Sequence, residues 1–112
     1  MTLLEGYIAK WHKYPKNELK IRVARPHVLS PSALLLSDYK NGFITWEDFD
    51  KRFRAEILSH LDSLHELRRI ATISKHEDVR LLCYEKNPPC HRFILMELIA
   101  EICEYSDKEV KP

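Results

Sequence analysis

The chain has 112 residues, of which 45% are apolar and 31% are charged, as expected for one globular domain. Its 18 basic and 17 acidic side chains give a formal net charge of +1, which does not indicate general binding to a nucleic-acid backbone. There is no run of 18 apolar residues, no recognisable signal peptide and no glycine-rich phosphate loop, and an odd number of cysteines, three, favours the cytoplasm over a disulfide framework.

Two strands are predicted in the first quarter of the chain. Residues 3–11 mix apolar and aromatic side chains in the manner of a strand. In residues 18–25, the apolar residues Leu19, Ile21 and Val23 recur at every second position. This period of two is typical of a strand that buries one face.

Two helices are predicted next. Ser30 is the expected N-cap of the first, Pro31 suits its first position, and Gly42 closes it. The second begins at Thr45, with Asp48 three positions later in a near relative of the capping box. Its apolar residues fall on one stripe at helical spacing, namely Trp46, Phe49, Phe53, Ile57 and Leu61.

The second half of the chain contains a third helix, a strand and a last helix. Apolar residues at helical spacing predict the third helix over about 64–76. Residues 79–84 are almost all apolar and predict a buried strand. A last helix with a wide apolar face is expected from His91, and residues 105–112 form a polar tail.

This order of elements predicts one compact α/β domain over residues 1–112. The expected architecture is a small, mainly parallel sheet flanked by helices, with a helical segment between the second and third strands. Ligands of such sheets bind beyond the carboxyl ends of the strands. The segments 24–27 and 83–92 follow two of the predicted strands, so we expect them to meet at one site.

The most unusual motif is Cys90-His91-Arg92 at the predicted start of the last helix. Free backbone N–H groups and the positive end of the helix dipole favour an anion there and lower the pKa of a nearby thiol. Arg92 offers a bidentate contact to a phosphate or carboxylate, and Arg25, after the second strand, is expected to face the same crevice. A reactive, accessible Cys90 thiolate beside a bound oxyanion follows from this interpretation.

Plainer and competing interpretations remain open. If the motif is only structural, Cys90 packs in the core and Arg92 pairs with Glu85. A cysteine-phosphatase loop is excluded, because the residue six positions after Cys83 is Pro89 rather than arginine. Zinc is disfavoured, because no second pair of closely spaced ligands exists and adjacent residues such as 90 and 91 rarely point at one ion. We therefore predict neither a metal nor another cofactor.

Three blocks of the chain resemble a known family. They read "IRVAR", "LLLSDYKNGFITWEDFDKRFRAEIL" and "VRLLCYEKNPPCHRFILMELI" and extend over about Leu4 to Glu104. Together they are similar to the family of domain of unknown function 488. The resemblance implies a compact intracellular α/β domain and supports the position of the site, but it implies no reaction or substrate. The signature positions of the family fall on Arg25, Cys83, Tyr84, Glu85, Lys86, Cys90, His91 and Arg92.

Two functions are carried forward, and whether the protein is an enzyme stays open. The first is binding of an anionic, phosphate-bearing ligand, with a nucleotide as one candidate, at the start of the last helix. The second is a non-catalytic module for a protein or a nucleic acid, in which the motif is structural. In the first, Cys90 and His91 are the candidate catalytic residues, and the ligand-binding residues are Arg92, Arg25, Glu85 and Lys86.

Overall fold

The structure is a computed structural model that describes residues 2–84 and 89–110, without the side chains of residues 105–110. Its sheet has three parallel strands, which are β1 (Leu3–Tyr7), β2 (Leu19–Arg22) and β3 (Val79–Cys83). Their spatial order is β1-β3-β2, so β3 is central. A 3-10 helix over Ile8–Lys13 connects β1 to β2.

Four α-helices complete the described part of the chain. Three lie between β2 and β3, namely α1 (Ala33–Lys40), α2 (Trp46–Ser59) and α3 (Leu61–Ser74). The last, α4 (His91–Val110), follows β3. The α/β class, the parallel sheet and the helical segment between the second and third strands are thereby confirmed. Within the described residues, no helix is long and apolar enough to cross a membrane.

One face of the sheet and the helices enclose the hydrophobic core. Val79, Leu81 and Cys83 alternate along β3 and belong to this core together with buried residues of all four helices. In the register of the sheet, Ile21 on β2 lies beside Leu81. The carboxyl end of β3 therefore brings Cys83 to the point where α4 begins.

The opposite face of the sheet is covered by the segment between β1 and β2. The Tyr14 hydroxyl accepts a hydrogen bond from the Tyr7 backbone N–H at 3.1 Å. The Arg80 guanidinium lies over the Tyr14 ring, 4.1 Å from its centroid, and pairs with buried Glu18. On this second face a tyrosine ring and a buried ion pair thus lie beside the buried Leu82.

Several predicted boundaries are wrong: β2 ends at Arg22 and not at residue 25, and Leu61 begins α3 instead of ending the second helix. Two further differences have a clear physical reason. Residues 8–11 continue as 3-10 helix and not as strand, because the partner β3 ends at Cys83, opposite Tyr7, and no ladder remains for a longer β1. The first helix is capped by Ser32, whose hydroxyl accepts from the Leu35 N–H at 3.2 Å. Ser30 instead hydrogen-bonds to the backbone of His27 in the preceding turn.

The start of α2 is as predicted. The Thr45 hydroxyl accepts a hydrogen bond from the Asp48 N–H at 3.1 Å, and the Asp48 carboxylate accepts one from the Thr45 N–H. Both partners lie within one turn of the chain, so the capping box can be recognised from local sequence alone.

Candidate functional site

A pocket of about 480 Å³ opens at the carboxyl edge of the sheet. We call it the site pocket. We call the end of β3 and the start of α4 its base; the segment after β2, the end of α1 and the start of α2 also line it. The described residues that line it are Ala24, Arg25, Pro31, Leu36, Tyr39, Lys40, Trp46, Phe49, Cys83, Tyr84, Pro89, Cys90 and His91.

Two thiols and one imidazole meet at the base of the site pocket. The Nδ1 atom of His91 lies 3.7 Å from the Cys83 sulfur and 3.8 Å from the Cys90 sulfur. The three ligand atoms all lie within 4.8 Å of one another, and all three side chains are buried. Adjacent residues such as 90 and 91 were expected only rarely to point at one ion, but here the donor atoms of both lie close to Cys83 on β3.

The hydrogen bond of His91 at its other nitrogen determines the tautomer of a neutral ring. Nε2 lies 2.7 Å from the carbonyl oxygen of Val23, which can only accept. The proton of a neutral imidazole therefore sits on Nε2, and the lone pair of Nδ1 faces the two sulfurs. The Phe53 ring lies edge-on to the imidazole, with ring centroids 5.6 Å apart, and helps to hold this orientation.

The environment of Cys90 differs from the one that the sequence predicts. A hydrogen bond with Cys83 and burial raise the pKa of the Cys90 thiol well above its ordinary value, against a weaker lowering by the Arg92 backbone N–H. The side chain is 3% exposed. An accessible thiol with a lowered pKa is thus not what the fold provides, because the hydrogen bond with Cys83 and burial together outweigh the lowering of the pKa by the Arg92 backbone N–H. The catalytic roles of Cys90 and His91 stay predictions.

The two arginines expected in one crevice lie in different surroundings. Arg25 is exposed and lines the site pocket. Arg92 is 1% exposed, and its Nε donates to a carboxylate oxygen of Glu5 on β1 at 2.8 Å. The Arg92 guanidinium also lies over the Phe93 ring, 4.6 Å from its centroid. Arg92 therefore joins the start of α4 to β1, a contact that the sequence-based interpretation did not include.

A second cation and an aromatic wall belong to the site pocket and were not predicted as site residues. Lys40, at the end of α1, lines the pocket, and like Arg25 it has no acidic partner within the described residues. The wall consists of Tyr39, Trp46 and Phe49, with the last two rings stacked at 4.7 Å. Phe49 belongs both to the hydrophobic core and to the aromatic wall.

The remaining predicted site residues, Tyr84, Glu85 and Lys86, lie where the described part of the chain ends after β3. Tyr84 is exposed, lines the pocket, and its hydroxyl accepts a hydrogen bond from Arg22 at 2.7 Å. Glu85 and Lys86 lie outside the described residues, as does the predicted pairing of Arg92 with Glu85. Their proposed ligand contacts stay predictions.

Comparison with known protein families tests the resemblance of the three sequence blocks to the family of domain of unknown function 488. A family model described as the active DUF488-N3 subclade, DUF488-N3a, matches residues 9–102. The chain belongs to the DUF488 family. Neither the comparison with curated proteins nor that with solved structures found a match.

The DUF488 match covers the site but not the whole sheet. Every described residue that lines the site pocket lies between positions 24 and 91, inside the matched range. Strand β1, which carries Glu5, precedes it. The site of this DUF488 domain is therefore contained in the matched range, whereas the partner of Arg92 is supplied from outside it.

Proposed function

We propose that this DUF488 domain binds a small anionic ligand that carries a phosphate group and a flat or apolar portion. The observation that carries the proposal is the pairing of two different surfaces in one pocket. Arg25 and Lys40 supply positive charge, while Tyr39, Trp46 and Phe49 supply an aromatic wall. A nucleotide has both features, and it is the leading candidate.

The position of the pocket supports the same class of ligand. It lies beyond the carboxyl ends of β2 and β3, where open parallel sheets bind ligands. The 20-residue helix α4 begins at its base, so the positive end of a long helix adds to the charge of the two cations. Arg92, which is paired with Glu5, contributes to this proposal only by holding the helix start in place.

A fluorescence titration tests the proposal, because Trp46 is part of the wall. The second tryptophan, Trp11, is replaced by Phe, and the remaining emission is followed during addition of inorganic phosphate, adenosine or adenosine monophosphate. We expect saturable binding of the monophosphate that is tighter than binding of either part. Arg25→Ala should weaken it roughly tenfold or more, as expected for loss of one charged hydrogen bond.

Arg68→Ala is the matched control for that variant. Arg68 is an exposed arginine on α3 that does not line the site pocket, so its removal changes the net charge equally. Equal weakening by both substitutions would mean that the ligand responds to overall charge and not to this pocket. Absence of saturation with all three compounds would contradict the nucleotide proposal.

The alternative function is a non-catalytic module that binds a partner protein or a nucleic acid. It is favoured by the contacts of the motif, since His91 and Arg92 tie α4 to the other strands. Large apolar side chains are exposed at Leu34, Phe43 and Leu61. If the protein is such a module, the fluorescence does not change during the nucleotide titration. Phe43→Ser then abolishes association with the partner and leaves the unfolding temperature unchanged.

A cytoplasmic location belongs to the same proposal. Within the described residues none of the three cysteines forms a disulfide, although two of them lie close together, as is usual for proteins of reducing compartments.

A further inference from the structure

We propose that Cys83, Cys90 and His91 form a site for a thiophilic divalent metal ion, with Zn²⁺ as the expected occupant. The inference does not depend on the ligand class proposed above, because the metal is held by side chains of the chain itself. Two thiolates and one imidazole are a donor set that Zn²⁺ prefers. Since each cysteine loses one proton to solvent on binding, the site carries no excess negative charge when the ion is present.

The distances from the imidazole nitrogen to the two sulfurs fit a tetrahedral ion. Zinc bonds of about 2.3 Å to sulfur and about 2.0–2.1 Å to nitrogen require a separation of about 3.6 Å between sulfur and nitrogen. The Nδ1 atom of His91 lies 3.7 Å from one sulfur and 3.8 Å from the other. The two sulfurs lie within 4.8 Å of each other, and on binding they would approach to about 3.8 Å, the separation across a tetrahedral ion.

The imidazole is already set up as a ligand. Its Nε2 is hydrogen-bonded to the Val23 carbonyl at 2.7 Å, which leaves the lone pair of Nδ1 directed to the sulfurs. Metal-binding histidines commonly donate their other N–H to a carbonyl or carboxylate in this way. The edge-on contact with Phe53 restricts rotation of the ring further.

The site also has an entry path and an open coordination position. All three residues line the base of the site pocket, so an ion can reach them although each side chain is buried. Within the described residues the donor set has three members. Three protein ligands leave the fourth position of a tetrahedral ion to water or a bound ligand, as in catalytic zinc sites and unlike closed structural ones. Arg25 and Lys40 line the same pocket.

Metal titration of the full chain tests the inference without any organic ligand. Protein freed of metal by a chelator under reducing conditions is titrated with Co²⁺, whose spectrum reports both geometry and thiolate ligands. We expect one Co²⁺ per chain, with intense tetrahedral d–d bands and thiolate-to-cobalt charge transfer, and displacement by one equivalent of Zn²⁺. No stoichiometric binding, or the weak spectrum of an octahedral ion without thiolates, would overturn the inference.

Substitutions then assign the ligands. Cys90→Ser should weaken Co²⁺ affinity roughly tenfold or more and reduce the charge-transfer intensity by about half. Cys103→Ser is the matched control, because this third cysteine lies on α4 away from the pocket and should leave the spectrum unchanged. An unchanged spectrum in Cys90→Ser would refute the assignment. If Cys83→Ser does not fold, the intensity of the charge-transfer band of the wild-type protein still gives the number of thiolate ligands.

One further result would count against the metal. If the reduced protein binds no metal and mild oxidation joins Cys83 to Cys90 in a disulfide, the pair is a redox couple and not a ligand pair. Mass spectrometry after thiol alkylation distinguishes these outcomes. A flat nucleotide titration together with stoichiometric Co²⁺ binding would remove the proposed ligand class and leave the metal site standing.

Discussion

Gly6 on β1 lies directly beneath the Tyr14 ring. A Cβ atom at this position would come within 2.6 Å of the Tyr14 Cζ and hydroxyl oxygen atoms, closer than real side chains approach. The ring cannot move freely, since its hydroxyl accepts a hydrogen bond from Tyr7 and its face carries Arg80. A glycine is therefore required here for close approach and not for backbone conformation.

We predict that Gly6→Ala lowers the free energy of unfolding by about 1–3 kcal/mol, the usual cost of overpacking. Urea unfolding of the purified variant measures this. In a Tyr14→Ala background the same substitution should cost much less, because the atoms that it meets are gone. An equal cost in both backgrounds would show that Tyr14 is not the obstacle.

Glu18 is a buried carboxylate that gives stability a defined dependence on pH. Hydrogen bonds from Arg80, one of them 3.1 Å long, hold the pKa of Glu18 below its ordinary value of 4.5 against the opposing effect of burial. A group whose pKa is lower in the folded state stabilises the fold above its unfolded pKa. That stabilisation is lost as the pH falls through the folded-state value.

Glu18→Gln should accordingly be less stable than the wild type by about 1–3 kcal/mol at pH 7. The difference should shrink as the pH falls below about 4.5, where the unfolded chain takes up a proton, and should vanish below the lowered pKa of the folded state. Urea unfolding at a series of pH values gives both curves. A difference that stays constant from pH 7 to pH 3 would contradict the assigned role of the charge.

At the scale of elements, the first turn of α4 is joined to all three strands. His91 contacts Cys83 on β3 and the backbone of Val23 just after β2, while Arg92 pairs with Glu5 on β1. The start of the helix, and with it the base of the site pocket, is thus fixed from three directions. This accounts physically for a histidine and an arginine in succession at a helix start.

Glu5→Gln tests the β1 contact. Loss of its charge leaves the buried Arg92 guanidinium without its Glu5 carboxylate, so we expect a loss of about 1–2 kcal/mol in the free energy of unfolding. Glu97→Gln removes an equal charge from an exposed ion pair with Arg54 and should cost less than about 1 kcal/mol. Equal effects of the two substitutions on urea unfolding would argue against a special role for the β1 contact.

The accuracy of the sequence-based predictions varies between elements for a physical reason. The start of α2 was predictable, because Thr45 and Asp48 satisfy each other within one turn. The start of α1 was not, because both Ser30 and Ser32 have local cap chemistry. Ser32 also hydrogen-bonds to Glu56, 24 residues later on α2, a tertiary contact that short-range patterns do not contain.

At the scale of the whole molecule, the position of the site was predictable and its electrostatics were not. Parallel strands place their carboxyl ends at one edge, which brought the segments after β2 and β3 together as expected. The raised pKa of Cys90 and the pairing of Arg92 with Glu5 depend on burial and on a residue 87 positions away. Lys40 and the aromatic wall were not predicted as site residues, because the sequences of α1 and α2 have the pattern of ordinary amphipathic helices.

An NMR titration of the ¹⁵N-labelled protein with adenosine monophosphate shows directly whether the site pocket binds a phosphate-bearing ligand. We expect saturable shifts of backbone amides around the site pocket, at Arg25, Lys40, Cys90 and His91, with little change on the exposed face of α3 around Arg68. Shifts that instead cluster on α3, or none at millimolar ligand, would contradict the assignment of this pocket as the binding site for a phosphate-bearing ligand.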